Sequence, residues 1–84
     1  MNESIARSER QLGAILRRVR RQAGLSQGAL GETIHMRQAT ISRLEAGEPA
    51  MQLHTLMEVL AALNLELVVR ERSQGSAADF EDMF

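Results

Sequence analysis

The sequence contains no cysteine. That removes a disulfide framework and any thiolate metal site. Its two histidines, His35 and His54, lie nineteen positions apart, so no metal centre is expected and no cofactor is implied. There is no lysine; all ten cations are arginines. The two aromatic residues, Phe80 and Phe84, fall near the end of the chain, outside any core. The longest apolar run, Val59 to Leu63, is far short of a membrane span. The polar stretch Met1 to Arg10 has no apolar signal core. Both absences point to a protein that stays in the cytoplasm and makes no membrane contact. A nucleophile–base constellation and a phosphate loop are also missing, so an enzyme is not expected.

What is present fits one small domain of 84 residues. A chain of this size buries a modest core and is marginal alone, which makes dimerisation an accessible remedy. Net charge is −1, but it is unevenly spread. Residues 1–57 carry eight arginines against five acids, and residues 58–84 carry two arginines against six. Between Arg7 and Arg21 stand six arginines and one acid, Glu9. Such a stripe can be a footprint for phosphates or simply a solvated helix face.

Most of the chain has helical periodicity. Leu12, Ile15, Leu16, Val19 and Ala23 would line one face of a first helix, with Ser8 and Gln11 as a capping box and Gly24 as the left-handed end. Ser26 caps a second helix over about 27–33, with Leu30 and Ile34 inward. A third runs over about 37–45 to Gly47, burying Ile41 and Leu44. Pro49 marks a loop. A fourth, over about 52–63, would bury Leu53, Leu56, Leu60 and Leu63 and end at Asn64.

The period then changes. Leu65 to Arg70 places Leu65, Leu67 and Val69 on one face, and the Val68-Val69 pair is β-branched, so it reads as a short strand; the alternative is an extension of the fourth helix. A lone strand leaves its backbone groups unpaired, and its natural mate is the same strand of a second copy. Ser73 to Phe84 reads as a flexible acidic tail. There Phe80, Met83 and Phe84, with Ser76 and Asp79 as a possible cap, could form one amphipathic turn against a partner. The expected organisation is an N-terminal arm (1–9), a helical domain (10–64), a dimerisation strand (65–72) and the tail (73–84).

The informative segment is Gln27 to Leu44. Two helices joined by a three-residue turn have the spacing of a helix-turn-helix unit. Gly31 supplies the small residue expected where the helices cross, and Leu30, Ile34, Ile41 and Leu44 form their shared core. The start of the third helix is polar and exposed, with Arg37, Gln38, Thr40, Ser42 and Arg43.

These residues resemble a known family. LSQGALGETIHMRQATISRLEAG, residues 25–47, is similar to the repressor helix-turn-helix of the Cro/C1 (Xre) class, and the likeness extends over residues 10–63. Gln27 and Gln38 match the paired first residues of the second and recognition helices. Arg20 and Glu45 match a buried ion pair tying helix one to the end of helix three. QATIS followed by ALNLELVVRER resembles, more narrowly, the HipB-type antitoxins that partner HipA-type serine/threonine kinase toxins. That likeness implies a strand paired across a homodimer and a flexible tail. Two departures stand out: His35 occupies a turn position commonly glycine, and Arg37 one that is often a serine cap.

The implied fold is an all-α, compact repressor-like bundle of four to five helices with one short C-terminal strand. The implied function is a sequence-specific transcriptional repressor on a palindromic operator, acting as the antitoxin of a HipA-like kinase and autoregulating its operon. A stand-alone regulator and a protein-binding adaptor are the alternatives. The recognition helix would enter the major groove. Gln38 can bond adenine, Arg37 or Arg43 guanine, and Ala39 a thymine methyl, with Ser42 beside them. Ser26, Gln27, Thr40, Arg17 and Arg18 are the candidate phosphate contacts. Leu65, Leu67, Val68 and Val69 are the candidate dimer residues.

Overall fold

The computed structural model describes residues 3–72. The expectations for the tail, including Phe80, Met83 and Phe84, lie outside the described residues.

Four helices are present among them: α1 (Glu9–Gln22), α2 (Gln27–Thr33), α3 (Gln38–Glu45) and α4 (Leu53–Ala62). α3 packs against both α2 and α1, and α2 against α4. The core is aliphatic throughout. Leu16 and Val19 of α1 meet Leu30 of α2, Ile41 and Leu44 of α3, and Val59, Leu60 and Leu63 at the end of α4. Two expected core positions differ. Ala23 is exposed, because it falls at the C-cap of α1, beyond the stretch that faces α3. Leu53 is 66% exposed; it opens α4, and Met51 just upstream packs against the core instead.

Every helix ends in the same way. The residue one past the cap is left-handed, with φ 75° at Gly24, 57° at His35, 81° at Gly47 and 58° at Asn64. In each case the next N–H reaches back to a carbonyl five residues earlier: Leu25 to Arg20, Met36 to Gly31, Glu48 to Arg43 and Leu65 to Leu60. These are Schellman motifs, in which the chain folds back to satisfy orphan helix carbonyls. They usually carry an apolar contact, and Leu25, Met36 and Leu65 do pack against the core. At α3 the corresponding residue is Glu48.

The motif also explains Gly31. A Cβ there would collide with the Met36 carbonyl oxygen, so the small residue is required by the fold-back of the turn rather than by the helix crossing. The close crossing is elsewhere, at Gly13 of α1, where a Cβ would lie on the carbonyls of Leu44 and Glu45.

Asn64 stops α4, so the alternative of a longer fourth helix is excluded. Residues 65–72 form neither helix nor ladder, and no strand occurs among the described residues. The strand expected at Leu65 to Arg70 is thus not seen. A ladder needs two strands, and the described part of the chain supplies no second. This segment lies beside the N-terminal arm, with Arg70 Nη1 2.7 Å from Glu3 Oε1. The groove between them has Ile5, Leu12, Ile15, Leu67 and Val69 among its lining residues. No helix among the described residues is long and apolar enough to cross a membrane.

Candidate nucleic-acid interface

α2, the turn 34–36 and α3 form one unit. Ser26 caps α2, its hydroxyl accepting from Ala29 N–H at 3.0 Å. α3 starts at Gln38, with Arg37 as its N-cap and no side-chain cap bond. A cation at a helix N-terminus opposes the macrodipole by a few tenths of a kcal/mol.

The outward face of α3 carries Gln38, Ala39, Ser42 and Arg43, all exposed, while Ile41 and Leu44 are buried beneath. Arg37 is exposed at its head, and Thr40 is half-buried at its side. The structure therefore gathers the five expected base-contact residues onto one surface.

Behind this face runs a relay of polar side chains. Arg20 is 6% exposed. Its Nε donates to Glu45 Oε2 at 2.6 Å and its Nη2 to Glu45 Oε1 at 3.0 Å, while Nη1 donates to the Leu25 carbonyl at 2.7 Å. Gln27 Nε2 donates to Glu45 Oε1 at 3.2 Å, and Gln38 Nε2 donates to Gln27 Oε1 at 3.4 Å. Burial pushes the Glu45 carboxyl up, but hydrogen bonds from Arg20 and Gln27, with the charges of Arg20 and Arg17, bring it below the ordinary glutamate value. The first residue of α3 is thus tied through α2 to a charge pair anchored on α1. Gln27, expected at a phosphate, has its carbonyl and one amide hydrogen engaged in this relay.

The remaining candidates are spread more widely. Arg17 and Arg18 are exposed on α1 beside Arg10 and Arg21, and Arg18 Nη2 donates to Ser4 Oγ at 2.8 Å. Arg43 is held by Glu48: Nε to Oε2 is 2.7 Å and Nη2 to Oε1 is 3.2 Å. Glu48 was not singled out in the sequence, since five residues is not a helical contact spacing. The signal was Gly47, whose left-handed conformation turns the following residue back onto the helix.

A family model described as a helix-turn-helix domain matches residues 11–73. No curated protein sequence matches significantly. Solved structures do. The HipB chain of a HipA–HipB–O2–O3 complex is 30% identical, with a TM-score of 0.76 over 86% of this chain and 100% of that one. HipB in complexes with O2 and O4 20mers gives 30% identity and TM-scores of 0.77, over 87% and 86% of this chain and all of theirs. The chain belongs to the helix-turn-helix domain family and is similar in fold over most of its length to the HipB antitoxins.

Proposed function

We propose that this protein is a homodimeric, sequence-specific repressor that reads a palindromic operator with α3. The observation that carries this is the outward face of α3, Gln38, Ala39, Ser42 and Arg43, with Gln38 held from behind by the relay to Glu45 and Arg20. Preorganised side chains lose less freedom on binding, which favours discrimination over mere adhesion. Within this reading Arg37 and Arg43 address guanine, Gln38 adenine and Ala39 a thymine methyl, with Ser42 at a base edge. Ser26, Thr40, Arg17, Arg18 and the remaining amide hydrogen of Gln27 meet phosphates and set the register.

The test is a titration of Gln38→Ala against a selected operator and its single-base variants. Specific binding should weaken by about 1–3 kcal/mol, with relaxed preference at one base pair. Thermal stability should change little, because the side chain is exposed. Identical affinity profiles for mutant and wild type would remove Gln38 from the interface.

A second layer of the reading is that the protein is an antitoxin, pairing with a HipA-like kinase and repressing its own operon. Its support is the similarity to a HipB chain solved together with HipA. Co-expression with a HipA-like kinase encoded beside its gene should give a stable complex. A regulator with no such neighbour, or one that does not bind it, is the stand-alone alternative.

A further inference from the structure

We propose that Glu48 is a positioning residue for base readout, holding Arg43 so that a single edge of its guanidinium is offered to a guanine. The inference rests on the reading of α3 as the recognition helix and adds to it a residue outside that helix.

The geometry is specific. A guanidinium has five N–H donors in a planar fork. The Glu48 carboxylate takes the side edge, from Nε and Nη2. What remains is the end edge, the hydrogens of Nη1 with the second hydrogen of Nη2. That edge is the one suited to two parallel bonds with the O6 and N7 acceptors of guanine in the major groove. The plane of the fork, and therefore the direction of the free edge, is set by the carboxylate.

Glu48 can set it because its own place is fixed by backbone. Its N–H bonds the Arg43 carbonyl at 3.2 Å, closing the Schellman motif at the end of α3. In the other three helices the residue at this point is apolar and packs on the core. Here the side chain turns instead to Arg43, the residue whose carbonyl its own N–H bonds. The pair is open to solvent, with the two side chains 57% and 40% exposed. Exposed pairs add little to stability. An acid placed beside a face meant for DNA also repels phosphate. A residue that costs binding in general and adds little to folding is accounted for if it improves choice among sequences.

The test compares wild type, Glu48→Gln, Arg43→Lys and Glu32→Gln on a site selected from a random library and on all its single-base variants. Circular dichroism melts confirm that each variant is folded. Arg43→Lys keeps the charge and loses the fork, so it identifies the base pair that Arg43 reads. At that pair Glu48→Gln should lower the preference for guanine by about three- to tenfold. The preference read by Gln38 should stay intact, and affinity for unrelated DNA should be unchanged or raised. Glu32, exposed on α2, controls for the lost negative charge alone. Two results would overturn the proposal: full guanine preference in Glu48→Gln, or a uniform gain on all sequences matching that of Glu32→Gln. A wild-type protein with no sequence preference would instead remove the recognition-helix reading, and this inference with it.

Discussion

Arg20 has all three of its nitrogens bonded inside the protein, two to Glu45 and one to the Leu25 carbonyl. Removing Glu45 would leave a nearly buried cation with only that carbonyl. Stranding a buried charge costs about 3–5 kcal/mol, whereas breaking an exposed pair costs under about 1 kcal/mol. Glu45→Ala should therefore shift the urea midpoint by the larger amount, and a small shift would mean that water reaches the pair. The carboxyl is held below its ordinary value when folded, so its contribution is complete above that value. As pH falls past the ordinary value toward the folded one, the unfolded state takes up the proton first and the contribution is lost. An acid titration of stability should show this loss in the wild type and a flatter limb in Glu45→Gln. At this scale the sequence was readable in part. The match of Arg20 and Glu45 to a family ion pair was visible, as was the Gln27/Gln38 spacing. That Gln27 closes a relay between them was not, because it depends on three helices meeting.

Helix ends were the most legible elements. Gly24, Gly47 and Asn64 are residues that tolerate a left-handed backbone, and each stands where a helix stops. His35 does the same work at some cost, since a residue with a Cβ adopts that region less readily. Crossings between elements were less legible. Gly13 in the middle of α1 reads locally as a weak helix former, and only the fold shows it beneath the end of α3. Its substitution gives a prediction whose sign depends on that fact. Alanine in place of glycine gains up to about 1 kcal/mol of helix propensity. At Gly28 a Cβ meets nothing nearer than Ser26 Oγ at 4.0 Å, so Gly28→Ala should raise the melting temperature. At Gly13 the Cβ would come within 2.7 Å of the Leu44 carbonyl oxygen and press on Glu45 as well. Overpacking of about 1–3 kcal/mol should outweigh the propensity gain. Gly13→Ala should then melt several degrees lower, at roughly 4–8 °C per kcal/mol for a domain of this size. Calorimetry of both variants at one protein concentration decides it, and a rise for Gly13→Ala would mean that α1 and α3 can move apart freely.

At the scale of the molecule, the single chain leaves apolar surface uncovered. Leu67, Val68 and Val69 are 53%, 63% and 91% exposed, and Leu53, Met57 and Ile5 add to them. The sequence pattern of Leu65 to Arg70 is that of a strand, yet a strand becomes visible only when its backbone has a mate. The proposed homodimer supplies one. A two-fold axis makes the contact isologous, so the two segments run antiparallel, each satisfying the other's N–H and C=O groups. The same axis would place two copies of α3 about one DNA turn apart, roughly 34 Å, matching a palindromic operator. Proline in the segment removes a ladder donor. Of two adjacent residues one turns its N–H toward the mate, so at least one of Leu67→Pro and Val68→Pro should split the dimer. Neither position belongs to the core of the helical domain, so helicity should persist in both. The DNA consequence follows from linkage of the two reading heads. Wild type gains on a full palindrome because the second head binds within an already formed complex, and a monomer loses that gain while keeping its half-site contacts. Sedimentation at micromolar concentration should find a wild-type dimer and at least one proline variant as a monomer. That variant should lose far more affinity for the palindrome than for a half-site. A wild-type monomer, or a palindrome bound no better than its half, would overturn the two-fold arrangement.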